Sequence, residues 1–308
     1  MDANVSPLSH PPLAHRWGYA TTPGFRGWEP ERIIAALARL GYRHMEWTLD
    51  ALDPRALGDA AVVRALRAAG DHGLAVSEYL ILADYVTGDA TTRAKAIALS
   101  RRAIDIAAEA GVDRVGLYSG PDSWDPAHPS IPGQLASGEA WARAFAALDE
   151  LVALAEARGV TVTFKTCHGT LAYDVYSTQP VIERYGTRMG FGLNLDPSHF
   201  VLCGNDLIWT VERWASLIRH VQLKDVFGVP GEEHRSFHFP LLGEGKVDWP
   251  GFFGALDRAG YRGAFVVLFE SYALFERLLG RDPIAAATLA MERLRRLEQA
   301  VSQSSVNA

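Results

Sequence analysis

Eight times along this chain a short apolar or β-branched run gives way to a longer segment with helical spacing. The runs are "RWGYA" (16–20), "RHMEW" (43–47), "LAVSEYLI" (74–81), "DRVGLYS" (113–119), "VTVTFK" (160–165), "GFGLNLD" (190–196), "HVQLKD" (220–225) and "AFVVLFE" (264–270). Between them lie alanine- and leucine-rich segments such as "EPERIIAALARLG" (29–41) and "TTRAKAIALSRRAIDIAAEAG" (91–111). Strict strand–helix alternation builds parallel sheets, because parallel neighbours need a crossover helix. Eight units predict a single closed (β/α)8 TIM barrel rather than an open sheet. The repeated glycine after a helix, in "LGYRHMEW", "AGVDRVGL" and "AGYRGAFVV", is the residue that ends the helix and turns the chain into the next strand.

The chain of 308 residues is long for one domain but ordinary for such a barrel. The barrel is expected over residues 14–301, with 1–13 and 302–308 as disordered tails. A net charge of −6 argues against a nucleic-acid partner, which asks for a basic face. Two cysteines, Cys167 and Cys203, make no disulfide framework, and a reducing cytoplasm is the default compartment. The first residues lack the apolar run of a signal peptide, and no run of 18 apolar residues suggests a membrane span. The segment "FGVPGEEHRSFHFPLLGEGKV" (227–247) is long and polar, follows the seventh strand and is a lid candidate.

In a barrel of this kind the chemistry sits at the C-terminal ends of the strands. Those positions carry Glu46, Glu78, Lys165, Asp196, His199, Gln222, Lys224, Asp225 and Glu270. Each has an ordinary alternative. Glu46 and Glu78 could be solvated rim residues, Asp196 could open the turn at Pro197, and Lys224 with Asp225 could be an ion pair that anchors the lid. Their convergence on one rim is what points to a small-molecule site.

The stretches "GFGLNLDPSHF", "LIRHVQLKDVFG" and "PLLGEGKVDWPGFFGALDRAGYRGAFVVLFE" resemble the sugar phosphate isomerase/epimerase family of xylose isomerase-like TIM barrels, a group related to ketose epimerases, inosose dehydratase and endonuclease IV. The resemblance implies a divalent metal held by a Glu ending the fifth strand, an Asp ending the sixth, a His in the seventh and a Glu ending the eighth. The matching positions here are Lys165, Asp196, Gln222 and Glu270, so only the Asp and the last Glu are kept. His199, in "DPSH", matches a histidine that contacts substrate in ketose epimerases. An ammonium about 4 Å from a dication repels it by about 8 kcal/mol at an effective dielectric of about 20. Gln222 is also a poorer ligand than imidazole for a transition ion. No tightly bound cofactor is therefore expected, and the Lys165 ammonium is expected where the metal charge would be, paired with Asp196 and Glu270. The alternatives are a dead site, or a site in which Lys165 swings out and His168 joins Asp196, Gln222 and Glu270 around Mn, Mg, Co or Zn.

The resemblance implies an isomerase or epimerase that removes a proton beside the carbonyl of a sugar-like or polyol compound. Such chemistry needs a base and a positive group at the developing enolate oxygen. Glu270 is the expected base, Lys165 the electrophile, Asp196 its orienting partner, and His199 a substrate contact or proton shuttle. Glu46, Glu78, His168, Gln222, Lys224 and Arg235 are expected to contact substrate, with Lys224 and Arg235 the contacts for an anionic group. A lyase or dehydratase, and a binding protein on an inactivated barrel, are the competing classes; a homo-oligomer is compatible with each. Aromatic residues near strand ends (Trp17, Tyr19, Trp47, Tyr79, Tyr85, Tyr118, Phe164 and Tyr272) would imply a substrate with a flat apolar part if several faced the pocket. No glycine-rich phosphate loop of the Walker or dinucleotide type is present, and "GLYSGPDSW" (116–124) is only a weak anion site.

Overall fold

The computed structural model describes residues 13–121 and 137–306. The strands are β1 (Trp17–Ala20), β2 (His44–Thr48), β3 (Ala75–Leu80), β4 (Arg114–Leu117), β5 (Thr161–Lys165), β6 (Phe191–Leu195), β7 (Ile218–Leu223), β8 (Phe227–Gly228), β9 (Phe237–His238) and β10 (Phe265–Val267). Eight of them close a parallel barrel in the order β1-β10-β7-β6-β5-β4-β3-β2. Strands β8 and β9 pair antiparallel within the segment expected to be a lid. The helices are α1 (Pro30–Leu40), α2 (Pro54–Leu57), α3 (Asp59–Asp71), α4 (Ala90–Ala110), α5 (Ser137–Arg158), α6 (Val175–Tyr185), α7 (Pro197–Leu202), α8 (Leu207–Trp214), α9 (Trp249–Arg258), α10 (Tyr272–Arg277) and α11 (Pro283–Val306). Among the described residues no helix is long and apolar enough to cross a membrane.

Local chemistry explains the element ends. Helix α1 opens on Pro30, which fits a first turn that has no N–H partner to lose, and stops at Gly41 with φ 94°. It buries Ile33, Ile34 and Leu37 on one face. Helix α4 is capped by Asp89, whose carboxylate accepts from the amides of Thr91 and Thr92 at 3.1 and 3.0 Å. Helix α11 continues to Val306, past the expected barrel end at residue 301. The expected tails over 1–12 and 307–308 lie outside the described residues, as do residues 122–124 of the weak anion loop.

Most of the aromatic residues expected near the mouth face the helices instead. Trp17 packs on Phe253 and Phe265, and Tyr19 on Tyr42 with ring centroids 5.5 Å apart. Trp17, Tyr19, Trp47, Tyr79, Tyr85, Tyr118 and Phe164 are all buried. All but Tyr118 belong to the main core between sheet and helices, where each full burial contributes about 1.5–3 kcal/mol. Of that set, Tyr272 lines a cleft. The inference of a flat apolar substrate from this aromatic set therefore fails.

The alternate positions point into the barrel, where Ala20, Val266 and Leu268 form a small apolar cluster and Glu46, Glu78, Lys165, Asn194 and Gln222 are polar. Glu46 lies opposite Glu78, and Lys165 opposite Asn194, in the strand registers. Gly116 makes room for them: a Cβ at this position would lie 2.5 Å from Glu78 Oε1.

Candidate active site

Four ionisable side chains meet at the C-terminal end of the barrel. Lys165 ends β5, Asp196 caps α7 just beyond β6, Lys224 follows β7, and Glu270 follows β10. Asp196 Oδ2 lies 3.4 Å from Lys165 Nζ and 3.1 Å from Lys224 Nζ. Lys224 Nζ also lies 2.5 Å from Glu270 Oε2 and sits 4.2 Å above the Phe239 ring. Glu270 therefore pairs with Lys224, and not with Lys165 as the sequence leads one to expect. The partner of Lys165 besides Asp196 is Gln222, whose Oε1 accepts from Nζ. Two ammonium groups and two carboxylates thus share one pocket.

Charge balance sets the ionisation states. Burial alone would raise the Asp196 carboxyl, but Lys224, with His199 and Lys165, outweighs it and holds the group well below the usual carboxylate range. Burial alone would lower Lys224, but Asp196 and Glu270 hold the ammonium above its usual range. Glu270 is held below its usual value, its burial outweighed by Lys224 and then Lys165. Its side chain keeps 22% exposure, whereas Asp196 has none.

His199 is buried and is not one of the residues that line the cleft described below. Its Nδ1 accepts from the His168 amide at 3.2 Å, so Nε2 carries the ring proton; that nitrogen faces Asp196 Oδ2 at 3.3 Å and also lies 3.1 Å from Lys224 Nζ, a contact between two donors that is not itself a hydrogen bond. Burial and the adjacent Lys224 push its pKa down to about 4, which leaves it neutral at pH 7. Both nitrogens are committed inside the protein, and the ring orients Asp196 rather than shuttling a proton. The His168 ring is likewise buried, edge-on to Phe237, its pKa lowered by burial.

Other expected contacts lie elsewhere. Glu46 and Glu78 are fully buried inside the barrel beneath the pocket, not solvated at its rim. Gln222 Nε2 donates to both Glu46 oxygens, at 2.8 and 3.0 Å. The amide orientation follows from its partners, since an ammonium only donates and must face the Gln222 oxygen. Burial pushes the Glu46 pKa up to about 7 and the Glu78 carboxyl well above its usual value, with Glu46 adding to the Glu78 shift. Arg235 is exposed and pairs with Glu232 at 2.9 Å. Asp225 anchors the end of the segment 227–247, but without Lys224: its carboxylate accepts from the amides of Gly243, Gly245 and Val247 and from the Trp249 indole, at 2.9–3.1 Å. A Cβ at Gly245 would lie 2.1 Å from Asp225 Oδ1, which explains the glycine in "LGEGKVDW".

The pocket opens into a cleft of about 260 Å³ lined by His234, His238, Phe239, Glu270, Ser271 and Tyr272, among others. Glu270 is the one residue of the four-charge cluster that lines it. Tyr272 Oη reaches Glu270 Oε1 at 3.4 Å. The cluster can therefore present a carboxylate, backed by two ammonium groups, to a small molecule.

The residues at the family's metal positions do not fit a dication. The oxygens of Asp196 and Glu270 that would bind it are directed at ammonium groups, and the Gln222 oxygen faces Lys165. A separate cluster lies deeper: one ligating atom each from Glu46, Glu78 and His220 fall within 4.8 Å of one another. The strand-end positions do not include His220, nor the Asn194 and Thr163 side chains that border it. The signal for it is the spacing of His220, Gln222 and Lys224, alternate positions that share the inner face of one strand.

A family model described as a xylose isomerase-like TIM barrel matches residues 34–297. The ketose 3-epimerase of Arthrobacter globiformis is 29% identical over 222 residues, which covers 69% of this chain and 68% of that protein. The inosose dehydratase of Geobacillus thermodenitrificans is 31% identical over 143 residues, 43% of this chain and only about half (48%) of that protein. A solved L-ribulose 3-epimerase superposes with a TM-score of 0.72 at 21% identity, covering 94% of this chain and 96% of the other.

Proposed function

Because this chain belongs to the xylose isomerase-like TIM barrel family, we propose that it is an isomerase or epimerase that removes a proton beside the carbonyl of a keto-sugar or related polyol, with the Lys165 and Lys224 ammonium groups in place of the family's metal. The observation that carries this reading is the four-charge cluster. Two ammonium groups supply the charge of one dication, and Asp196 and Glu270 balance them. Glu270 is the base, because it alone of the cluster lines the cleft and is held ionised by Lys224. Lys224, buried 2.5 Å behind Glu270, sets positive charge next to the base and to the charge that develops on the substrate. Lys165 shares Asp196 with Lys224 and, through Gln222, fixes the floor of the pocket. Related proteins named as ketose and ribulose epimerases support the reaction class.

The substrate is read as uncharged rather than a phosphate ester. Lys224 is neutralised within the cluster, and the exposed cations Arg26, Arg235, Arg281 and Lys246 have partners in Asp50, Glu232, Glu276 and the Gly228 carbonyl. The segment 118–136 contains no Lys or Arg. A lyase outcome begins with the same proton abstraction and ends by expelling a β-hydroxyl; the inosose dehydratase relative favours keeping it as the second reading.

The test is incubation with free ketoses, inososes and their phosphate esters in D2O. Deuterium entering the carbon beside the carbonyl of a free keto compound is the expected result. Appearance of an unsaturated ketone would select the lyase. Binding of these compounds with no exchange in any of them would leave a binding protein and overturn the reading.

A further inference from the structure

Beneath the four-charge cluster the barrel holds a second polar group that the proposed reaction does not use. Glu46 and Glu78 are fully buried, and among the described residues no Lys or Arg forms an ion pair with either. Their hydrogen-bond donors are neutral: Gln222 to Glu46, and Thr163 and Asn194 to Glu78. Buried carboxylates ordinarily have a cation or a metal against them.

The imidazole of His220 is aimed into this group with a bare nitrogen. Ser77 Oγ donates its proton to the Met45 carbonyl at 3.1 Å, so it can only accept from His220 Nε2, 3.2 Å away. Nε2 therefore carries the ring proton. Nδ1 is left as a lone pair, 3.9 Å from Glu78 Oε1, with no hydrogen-bond partner on a ring that is 1% exposed. Asn194 Oδ1, on the amide whose Nδ2 reaches Glu78 at 2.7 Å, is a second buried acceptor with no donor. Two buried acceptors of this group, His220 Nδ1 and Asn194 Oδ1, thus have no donor among the described residues.

We propose that Glu46, Glu78 and His220 bind a divalent transition metal inside the barrel, one layer below Lys165, at a position distinct from the family's metal site. Two carboxylates and one neutral imidazole suit Zn2+ or Mn2+. Gln222, Thr163 and Asn194 would orient the carboxylates, and Ser77 the imidazole, as the outer partners of metal ligands do. The charges close: Lys165 and Lys224 balance Asp196 and Glu270, and a dication balances Glu46 and Glu78. Through Gln222, which touches both Glu46 and Lys165, the ion would also stiffen the floor of the active site.

The experiment is metal analysis of full-length protein expressed with Zn2+ or Mn2+ in the medium and desalted, together with an anomalous difference map at the metal edge. About one equivalent is expected in the wild type, with a peak between Glu46, Glu78 and His220. Glu78→Gln should lower the content at least tenfold, while Glu270→Gln retains it. Metal-free protein with a water peak at Nδ1 would overturn the proposal. So would metal lost on Glu270→Gln but kept on Glu78→Gln, a result that would also overturn the ammonium reading of the upper pocket. Should Glu78→Gln fail to fold, the wild-type map alone decides.

Discussion

Replacing Asp196 by Asn removes the one carboxylate that both lysines share. The interaction of a unit charge with each ammonium, at 3.4 and 3.1 Å, is about 5 kcal/mol at an effective dielectric of about 20. Those gains are largely offset in the wild type by the cost of burying the carboxylate. The neutral amide of the Asp196→Asn variant would not need that offset, but it leaves two buried ammonium groups against Glu270 alone. The expected net loss is therefore about 3–5 kcal/mol, the range for breaking a buried pair. Urea unfolding at pH 7 measures it. The sign of the pH dependence follows from the depressed folded pKa of Asp196. Its contribution is complete above the unfolded value of about 3.9 and is lost as pH falls through the folded value. The gap between wild type and Asp196→Asn should therefore narrow below about pH 4. Adding Lys165→Met should recover part of the loss, because it removes one of the uncompensated cations. A loss under about 1 kcal/mol at pH 7, or a gap that stays constant into acid, would refute the shared-anion account.

Other expectations are independent of that one. Glu270→Gln should slow solvent exchange of substrate by at least about 100-fold, the usual contribution of a positioned base, with substrate binding retained by calorimetry. Asp225→Asn places a donor amide among five N–H groups, so loss of about 1–3 kcal/mol and a raised KM are expected from thermal unfolding and steady-state kinetics. The raised Glu46 pKa means that the folded, metal-free protein holds a proton the unfolded chain releases. Between about pH 4.3 and 7 that contribution is lost as pH rises, so Glu46→Gln should gain in Tm relative to the metal-free wild type from pH 5 to pH 8.

The barrel is legible in the sequence because its evidence is local and repeated: strand runs at two-residue period, helices at 3.6, and a glycine such as Gly111 (φ 80°) turning one into the other. The rim residues Lys165, Asp196, Lys224 and Glu270 can be read from their place at strand ends. Their pairing cannot. Whether Glu270 meets Lys165 or Lys224 depends on how far each chain extends past its strand, and the sequence carries no distance between β7 and β10. Depth is hidden for a different reason. Glu46 stands at the end of an apolar run, which looks like a rim, yet β2 continues to Thr48 and the inner face of the barrel accepts carboxylates where Gly116 leaves space. The aromatic residues fall on the unexpected side because period-two alternation says that two faces exist but not which one is the pocket. Helix α7 shows in the sequence only as the turn that Asp-Pro opens, although Asp196 caps it by accepting from Ser198 at 3.1 Å.

The central claim is that ammonium charge occupies the family's metal position. Anomalous difference maps from crystals soaked in Mn2+, of the wild type and of Lys165→Glu, test it most directly. The account predicts no peak between Asp196 and Glu270 in the wild type and a peak there once Lys165 is replaced by a carboxylate. A peak at that position in the wild type, with Lys165 displaced from Asp196, would contradict it.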